Sequence, residues 1–334
     1  GAWLVDDTGY PKQGKHSVGV ARQYCGMLGK TMNCQAAVTT SIANDWASLP
    51  VAHRLYLPEK WAGDTERRKR AGVPVEVVFQ TKWVIALDQI TGMVAAGVPR
   101  GTVLADAGYG DVADFRKGVT ELGLPYVVGV REGTAVWRPG EQPLPPARQG
   151  TRGPHPKRVR RDEGHQPVTV LALAKDLPAD AWQDVTWREG TQGDMTSRFA
   201  RVRVRPAHRD YYRIEPRDEE WLLIEWPSGE DKPTRYWLST QPEEMDFRAL
   251  VRLAKLRWRI ERDYEEMKDE LGFDHFEGRG WRGFHHHATL CIAAYAFLMA
   301  ERARLSPPGA PRKPPVETPP IPAGFRPRGA AHQN

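Results

Sequence analysis

Cysteine is scarce in this 334-residue chain: there are three, Cys25, Cys34 and Cys291, and no two stand in a CxxC pair. That number and spacing exclude a disulfide framework and a zinc knuckle, and they suit a reducing compartment. No apolar run approaches the roughly eighteen residues that a membrane span requires. The N-terminus has neither the basic nor the apolar segment of a signal peptide. The sequence therefore predicts a soluble cytoplasmic protein with no membrane partner. Glycine and proline, plentiful elsewhere, are missing between Asp246 and Leu271. Their absence predicts one long helix that stops at Gly272.

Hydrophobic residues make up 40% of the chain, enough for a substantial core in one large interrupted domain or in two smaller ones. Lys plus Arg number 48 against 42 Asp plus Glu, a net charge of +6 that permits a polyanionic partner. Along the expected long helix, Phe247, Leu250, Ala254, Trp258 and Met267 recur at the spacing of a buried stripe. Arg257, Glu261, Glu265 and Lys268 share a second face. Solvated ion pairs are the simplest account of such a face, but its spacing is more specific than that.

Arg257, three residues, Glu261, six residues and Lys268 match most of a transposase signature in which a Tyr stands three positions before the Arg; here that position is Ala254. The string RWRIERDYEEMKDELGFDHFEGRGWRGFHHH, with LVDDTGYPKQGKHSVGVARQYCG and LADAGYG, resembles the insertion-sequence-701 family of DDE transposases. The resemblance runs from Trp3 to about Arg304. It implies metal-dependent cleavage of DNA at insertion-sequence ends, followed by strand transfer. The partners it implies are double-stranded DNA, as terminal inverted repeats and target, and a second copy of the chain in a dimer on that DNA, in a nucleoid-associated protein. Relatives carry an N-terminal helical region before the first acid, so the chain is expected to be N-terminally truncated. A truncated or domesticated transposase that binds DNA without cutting it, or another ribonuclease H-like nuclease, is the alternative.

The order of elements agrees with such a fold. Strands are expected near Trp3–Val5, Ser17–Tyr24 and Asn33–Ile42, a charged loop over 54–74, and a helix over Phe79–Ala96. A strand at Thr102–Ala105, a helix at Val112–Leu122 and a strand at Tyr126–Val130 follow. This is α/β, and with the resemblance it predicts a ribonuclease H-like core, a mixed sheet with flanking helices. The core is expected in two parts, 1–136 and 241–305, the second holding the Glu helix and a further helix from about Phe284 to Arg304. A β-rich insertion over 137–240 would interrupt it, with strands at Val168–Ala174, Phe199–Val204, Trp221–Trp226 and Arg235–Ser239. Trp182, Trp187, Trp221, Trp226 and Trp237 are expected in its core, not on a base-stacking surface. Residues 306–334 hold nine prolines and are expected to be a disordered tail.

Asp6 and Asp106 each close a strand, and with Glu261 they form an Asp, Asp, Glu set. In the implied fold those strands are neighbours, so the acids converge and serve as catalytic residues and metal ligands. Hard oxygen donors with a phosphate partner suit two Mg²⁺ or Mn²⁺ ions. Asp7 is the rival to Asp6, and strand alternation allows only one of them to face the site. Arg257 and Lys268 are candidate DNA contacts by resemblance, as are Lys12 and Lys15 after the first acid. Residues 147–161 carry Arg148, Arg152, Lys157, Arg158, Arg160 and Arg161 and no acid, a basic loop suited to phosphates. His285, His286 and His287 point in diverging directions on a helix and do not make a metal site.

Overall fold

A computed structural model describes residues 1–147, 156–190 and 193–305. The first half contains β1 (Ala2–Pro11), β2 (Ala21–Cys25), β3 (Lys30–Ala43), β4 (Ser48–Leu55), α1 (Glu59–Ala62), α2 (Thr65–Ala71) and α3 (Lys82–Ala95). Next come β5 (Thr102–Ala105), α4 (Ala107–Gly110), α5 (Ala113–Glu121), β6 (Tyr126–Val130), β7 (Ala135–Trp137), β8 (Val168–Thr169) and α6 (Val170–Asp176). The remainder is β9 (Trp182–Gly190), β10 (Gly193–Pro206), β11 (Glu220–Glu225), β12 (Arg235–Ser239), α7 (Phe247–Lys255), α8 (Trp258–Leu271) and α9 (Trp281–Leu305).

The strands form one mixed sheet in the order β2-β3-β1-β5-β6-β12-β11-β10-β7-β8, with β4 on β3 and β9 on β10. β1, β5 and β6 are parallel neighbours, and the other pairings are antiparallel. The parallel pairs are reached through helices, as parallel pairing demands. The strands between 182 and 239 extend this same sheet, because β12 pairs directly with β6.

Alternation along the central strands divides the core in two. Leu4, Leu104 and Val127 face one layer with Leu250, Ala254, Ile260 and Met267 of α7 and α8. Trp3, Val5, Val103, Ala105 and Val128 face the other with Ile85 and Ile90 of α3 and Phe115 and Val119 of α5. The sheet is thus covered on both faces, and its middle strands are apolar throughout. Trp221 and Trp237 are buried core residues as expected, while Trp182 and Trp187 are partly buried against the core.

Four local expectations need correction. The long helix is two: α7 ends at Lys255 and α8 starts at Trp258, joined by a tight turn in which Arg259 N–H and Ile260 N–H reach back three residues, to the carbonyls of Leu256 and Arg257. The charged loop over 54–74 contains α1 and α2. Asp64 accepts from Arg67 N at 2.9 Å and Gly72, at φ 63°, closes α2, so the Glu66–Arg70 cluster is helical. Most of the strand expected at Val168–Ala174 is helix α6, with Thr169 Oγ1 accepting from Ala172 N at 3.1 Å. Strand β4 was not foreseen. Arg148, Arg152 and the 306–334 tail lie outside the described residues.

Candidate active site

Because β1 and β5 are parallel and in register, with Val5 opposite Ala105, the next residues, Asp6 and Asp106, stand at one level. β5 ends there as expected, whereas β1, expected to close at Asp6, runs on to Pro11 because it stays paired with β3. Asp106 turns the chain into α4, its Oδ1 accepting from Gly108 N at 2.9 Å. That turn is pressed against β6: a Cβ at Gly110 would collide with the Gly129 carbonyl, and one at Gly129 would meet Ala107 N at 3.0 Å. Only glycines permit this approach, and it fixes where Asp106 sits.

The third acid arrives through α8. Arg257, at the helix start, donates from Nη1 to Asp6 Oδ2 at 2.7 Å and from Nη2 to Glu261 Oε1 at 2.6 Å. One guanidinium therefore joins the strand acid to the helix acid. Asp6 is nearly enclosed, and burial pushes its carboxyl up to about 7 against the pull of Arg257, with Asp106 and Asp7 raising it further. Burial opposes the Arg257 charge, but Asp6, Glu261 and Asp106 together hold its pKa above the usual arginine value. Glu261 has 60% of its side chain exposed. Among the described residues, no three or more His, Cys, Asp or Glu side chains are grouped so as to hold a metal ion.

Asp7 occupies the opposite face, where Lys82 of α3 donates to it at 2.6 Å and Tyr109 Oη at 3.4 Å. Asp6 shares its face with Leu4, beneath α8. Neither Lys82 nor Tyr109 was singled out from sequence. The parity of β1 was readable there, but the partners on its far face belong to distant elements.

The other candidates are spread out. Lys268 is buried, donating to Thr8 Oγ1 at 2.8 Å and toward the Gly9 carbonyl at 3.4 Å. Lys12 donates to the Phe276 carbonyl at 2.6 Å, and Lys15 is exposed. Arg160 pairs with Asp162, and Arg161 pairs with buried Asp210 at 2.5 Å. Lys157 and Arg158 are exposed. His285 spans α9 and β4, its Nε2 accepting from Leu55 N at 3.2 Å, and His287 reaches the Gly272 carbonyl at 3.0 Å.

The family described as DDE superfamily endonuclease matches residues 1–194, more than half of the chain, and the chain belongs to it. That match includes Asp6 and Asp106 and ends before Glu261. The chain is also 33% identical over 129 residues to the probable transposase for insertion sequence element IS701 of Microchaete diplosiphon, a match covering 38% of this chain and 31% of the relative. The shared stretch is thus under a third of that relative's length. Among the described residues no helix is long and apolar enough to cross a membrane.

Proposed function

We propose that the chain is the catalytic part of a DNA transposase that cleaves strands at insertion-sequence ends and joins the freed 3′ ends to target DNA, with Asp6, Asp106 and Glu261 as its reactive carboxylates. The observation that carries this reading is the in-register placement of Asp6 and Asp106, with Arg257 joining Asp6 to Glu261. The sheet order supports a ribonuclease H-like core in two parts, 1–136 and 241–305, with 137–240 inserted between them. Double-stranded DNA and a second copy of the chain are the partners this reading implies, within the nucleoid.

The donor chemistry, carboxylate oxygen alone, suits hard divalent cations, although the three acids are not gathered closely enough here to form a ready-made site. Asp6 is a buried carboxyl beside a second acid, an arrangement that favours an added positive charge, and all three acids offer oxygen alone. The residues that would hold Mg²⁺ or Mn²⁺ are Asp6, Asp106 and Glu261. When bound, such ions activate the attacking oxygen and stabilise the leaving one. The chain's own groups do the positioning: Gly108 N orients Asp106, and Arg257 holds Asp6 and Glu261 in reach of one another. Lys12, Lys15, Arg148, Arg152, Lys157 and Arg158 are the proposed phosphate contacts.

The test is cleavage of a labelled duplex carrying the element's ends in Mg²⁺, Mn²⁺, Ca²⁺ or EDTA, with wild type and Asp106→Asn. Nicking in Mg²⁺ or Mn²⁺ that disappears in EDTA and in the variant is expected. DNA binding without cleavage under any metal would replace this reading with that of a binding protein.

A further inference from the structure

The connection between β10 and β11, AHRDYYRIEPRDE over Ala207–Glu219, has a composition the proposed chemistry does not use. Its 3-10 turn presents Tyr211 and Tyr212 side by side, 45% and 59% exposed, with ring centroids 4.5 Å apart, and Ile214 beyond them is 66% exposed. Scattered exposed apolar side chains are ordinary. Two adjacent aromatic rings with an arginine beside each are not.

The cations come from two segments fastened together. Val159 N donates to the Arg213 carbonyl at 3.0 Å, so the segment carrying Lys157, Arg158, Arg160 and Arg161 lies along the connection. Arg158 stands 5.5 Å from the Tyr212 ring centre and Arg161 5.3 Å from that of Tyr211. Buried Asp210 anchors the turn, accepting from Trp137 Nε1 at 2.6 Å and from Arg161 Nε at 3.0 Å. The tyrosines are therefore held outward by a rigid base, at low entropic cost for a partner.

Beside them lies a pocket of about 350 Å³ lined by Asp111, Asp114, His208, Arg209, Tyr212 and Arg217. Asp111 is already engaged, accepting from Arg131 N and from Thr134 Oγ1, both at 3.0 Å. The His208 imidazole is held below its usual pKa first by burial and then by the charges of Arg209, Arg116 and Arg217, with Asp114 pulling the other way. Arg209 keeps this place at φ 48°, a left-handed conformation that disfavours a side chain. Asp111 follows Asp106 by five positions, with only α4 between them.

We propose that Ala207–Glu219, together with Lys157 and Arg158, is a binding surface for single-stranded DNA, with unpaired bases stacking on Tyr211 and Tyr212 and phosphates entering the pocket at His208, Arg209 and Arg217. Bases in an intact duplex keep their faces covered by neighbours, so a stacking platform flanked by cations selects unpaired strands. The proposal rests on the DNA-processing reading above and adds the form of DNA that this surface takes.

The experiment is fluorescence anisotropy of the full chain with a labelled single-stranded oligonucleotide and with the same sequence as a blunt duplex. Tyr211→Ala/Tyr212→Ala is expected to weaken single-strand binding about tenfold or more, leaving duplex binding within about twofold, while the double Phe variant retains affinity because its rings still stack. Arg209→Gly is the control for folding: it relieves the left-handed strain, so its melting temperature should hold or rise while single-strand affinity falls. Unchanged single-strand affinity in both variants overturns the proposal. So does a wild type that binds duplex but not single strands, and that result leaves the transposase reading standing. Binding of neither form overturns both.

Discussion

Asp6 and Arg257 are 251 positions apart in the chain and are joined by a 2.7 Å ion pair, with 15% and 23% of their side chains exposed. The pair ties the middle of β1 to the start of α8 and so sets where the helix lies on the sheet. Replacing Arg257 with Gln leaves a buried carboxylate without its counter-charge. A stability loss of about 1–3 kcal/mol is expected, read as a lower urea midpoint. Mg²⁺ should restore part of that loss in the variant and raise the wild-type midpoint less. Equal effects of Mg²⁺ on both proteins would separate Arg257 from the acidic site.

Lys268 offers a second test of how α8 sits. Its ammonium reaches Thr8, two residues beyond Asp6 on the same face of β1, so the helix follows the strand from Asp6 to Gly9. Lys268→Met should cost about 1–3 kcal/mol, since a buried charged hydrogen bond is lost, and should leave duplex DNA affinity unchanged. A variant of wild-type stability that binds DNA more weakly would return Lys268 to the role of phosphate contact.

The difference between these two cations shows what the sequence carried. Spacing on α8 correctly set Arg257, Glu261 and Lys268 along one side, but not what lies beneath that side. β1 continues to Pro11, so the face that begins over Asp6 ends over Thr8 and Gly9, and Lys268 is turned inward. The short strands β5 and β6 were legible because unbroken apolar runs are bounded by turn residues on either side. Val170–Ala174 is also a short apolar run, and periodicity alone does not separate strand from helix there. The Thr169 cap decides it. Strand β4 carries Pro50 and only three buried positions, which hid it. The break after Lys255 has no Gly or Pro to mark it. Asp106 was recognisable as a strand end, but Asp6 is not one, because β1 runs five residues further on its pairing with β3, and the Asp7–Lys82 pair depended on a helix packed from the far face.

Gly110 tests the seating of Asp106. A methyl group there meets the Gly129 carbonyl, and its backbone is not left-handed, so any effect is one of packing. Gly110→Ala should destabilise the fold by about 1–3 kcal/mol and abolish cleavage by shifting the turn that holds Asp106. DNA affinity should persist. Full cleavage by Gly110→Ala would show that the position of Asp106 is not set by this contact.

The pH dependence of stability has a separable contribution from His53. Its Nδ1 lies 2.9 Å from Thr39 Oγ1 and its ring packs 5.1 Å from that of Phe273. Burial, with His285 adding to it, lowers its pKa from 6.5 to about 3. The folded protein therefore refuses a proton that the unfolded chain accepts below pH 6.5. The stability involved is fully present above pH 6.5 and is lost progressively as pH falls toward 3, at up to ~1.4 kcal/mol per pH unit. Asp6 acts in the opposite sense: its carboxyl is raised to about 7, so the folded state holds a proton that the unfolded chain has released above pH 4. Comparing wild type with His53→Gln cancels that contribution, because Asp6 is present in both. Between pH 7.5 and pH 5.0 the wild type should lose roughly 2 kcal/mol more than the variant in urea unfolding. Parallel losses would mean that His53 is protonated in the folded protein and that the ring cluster around it admits water.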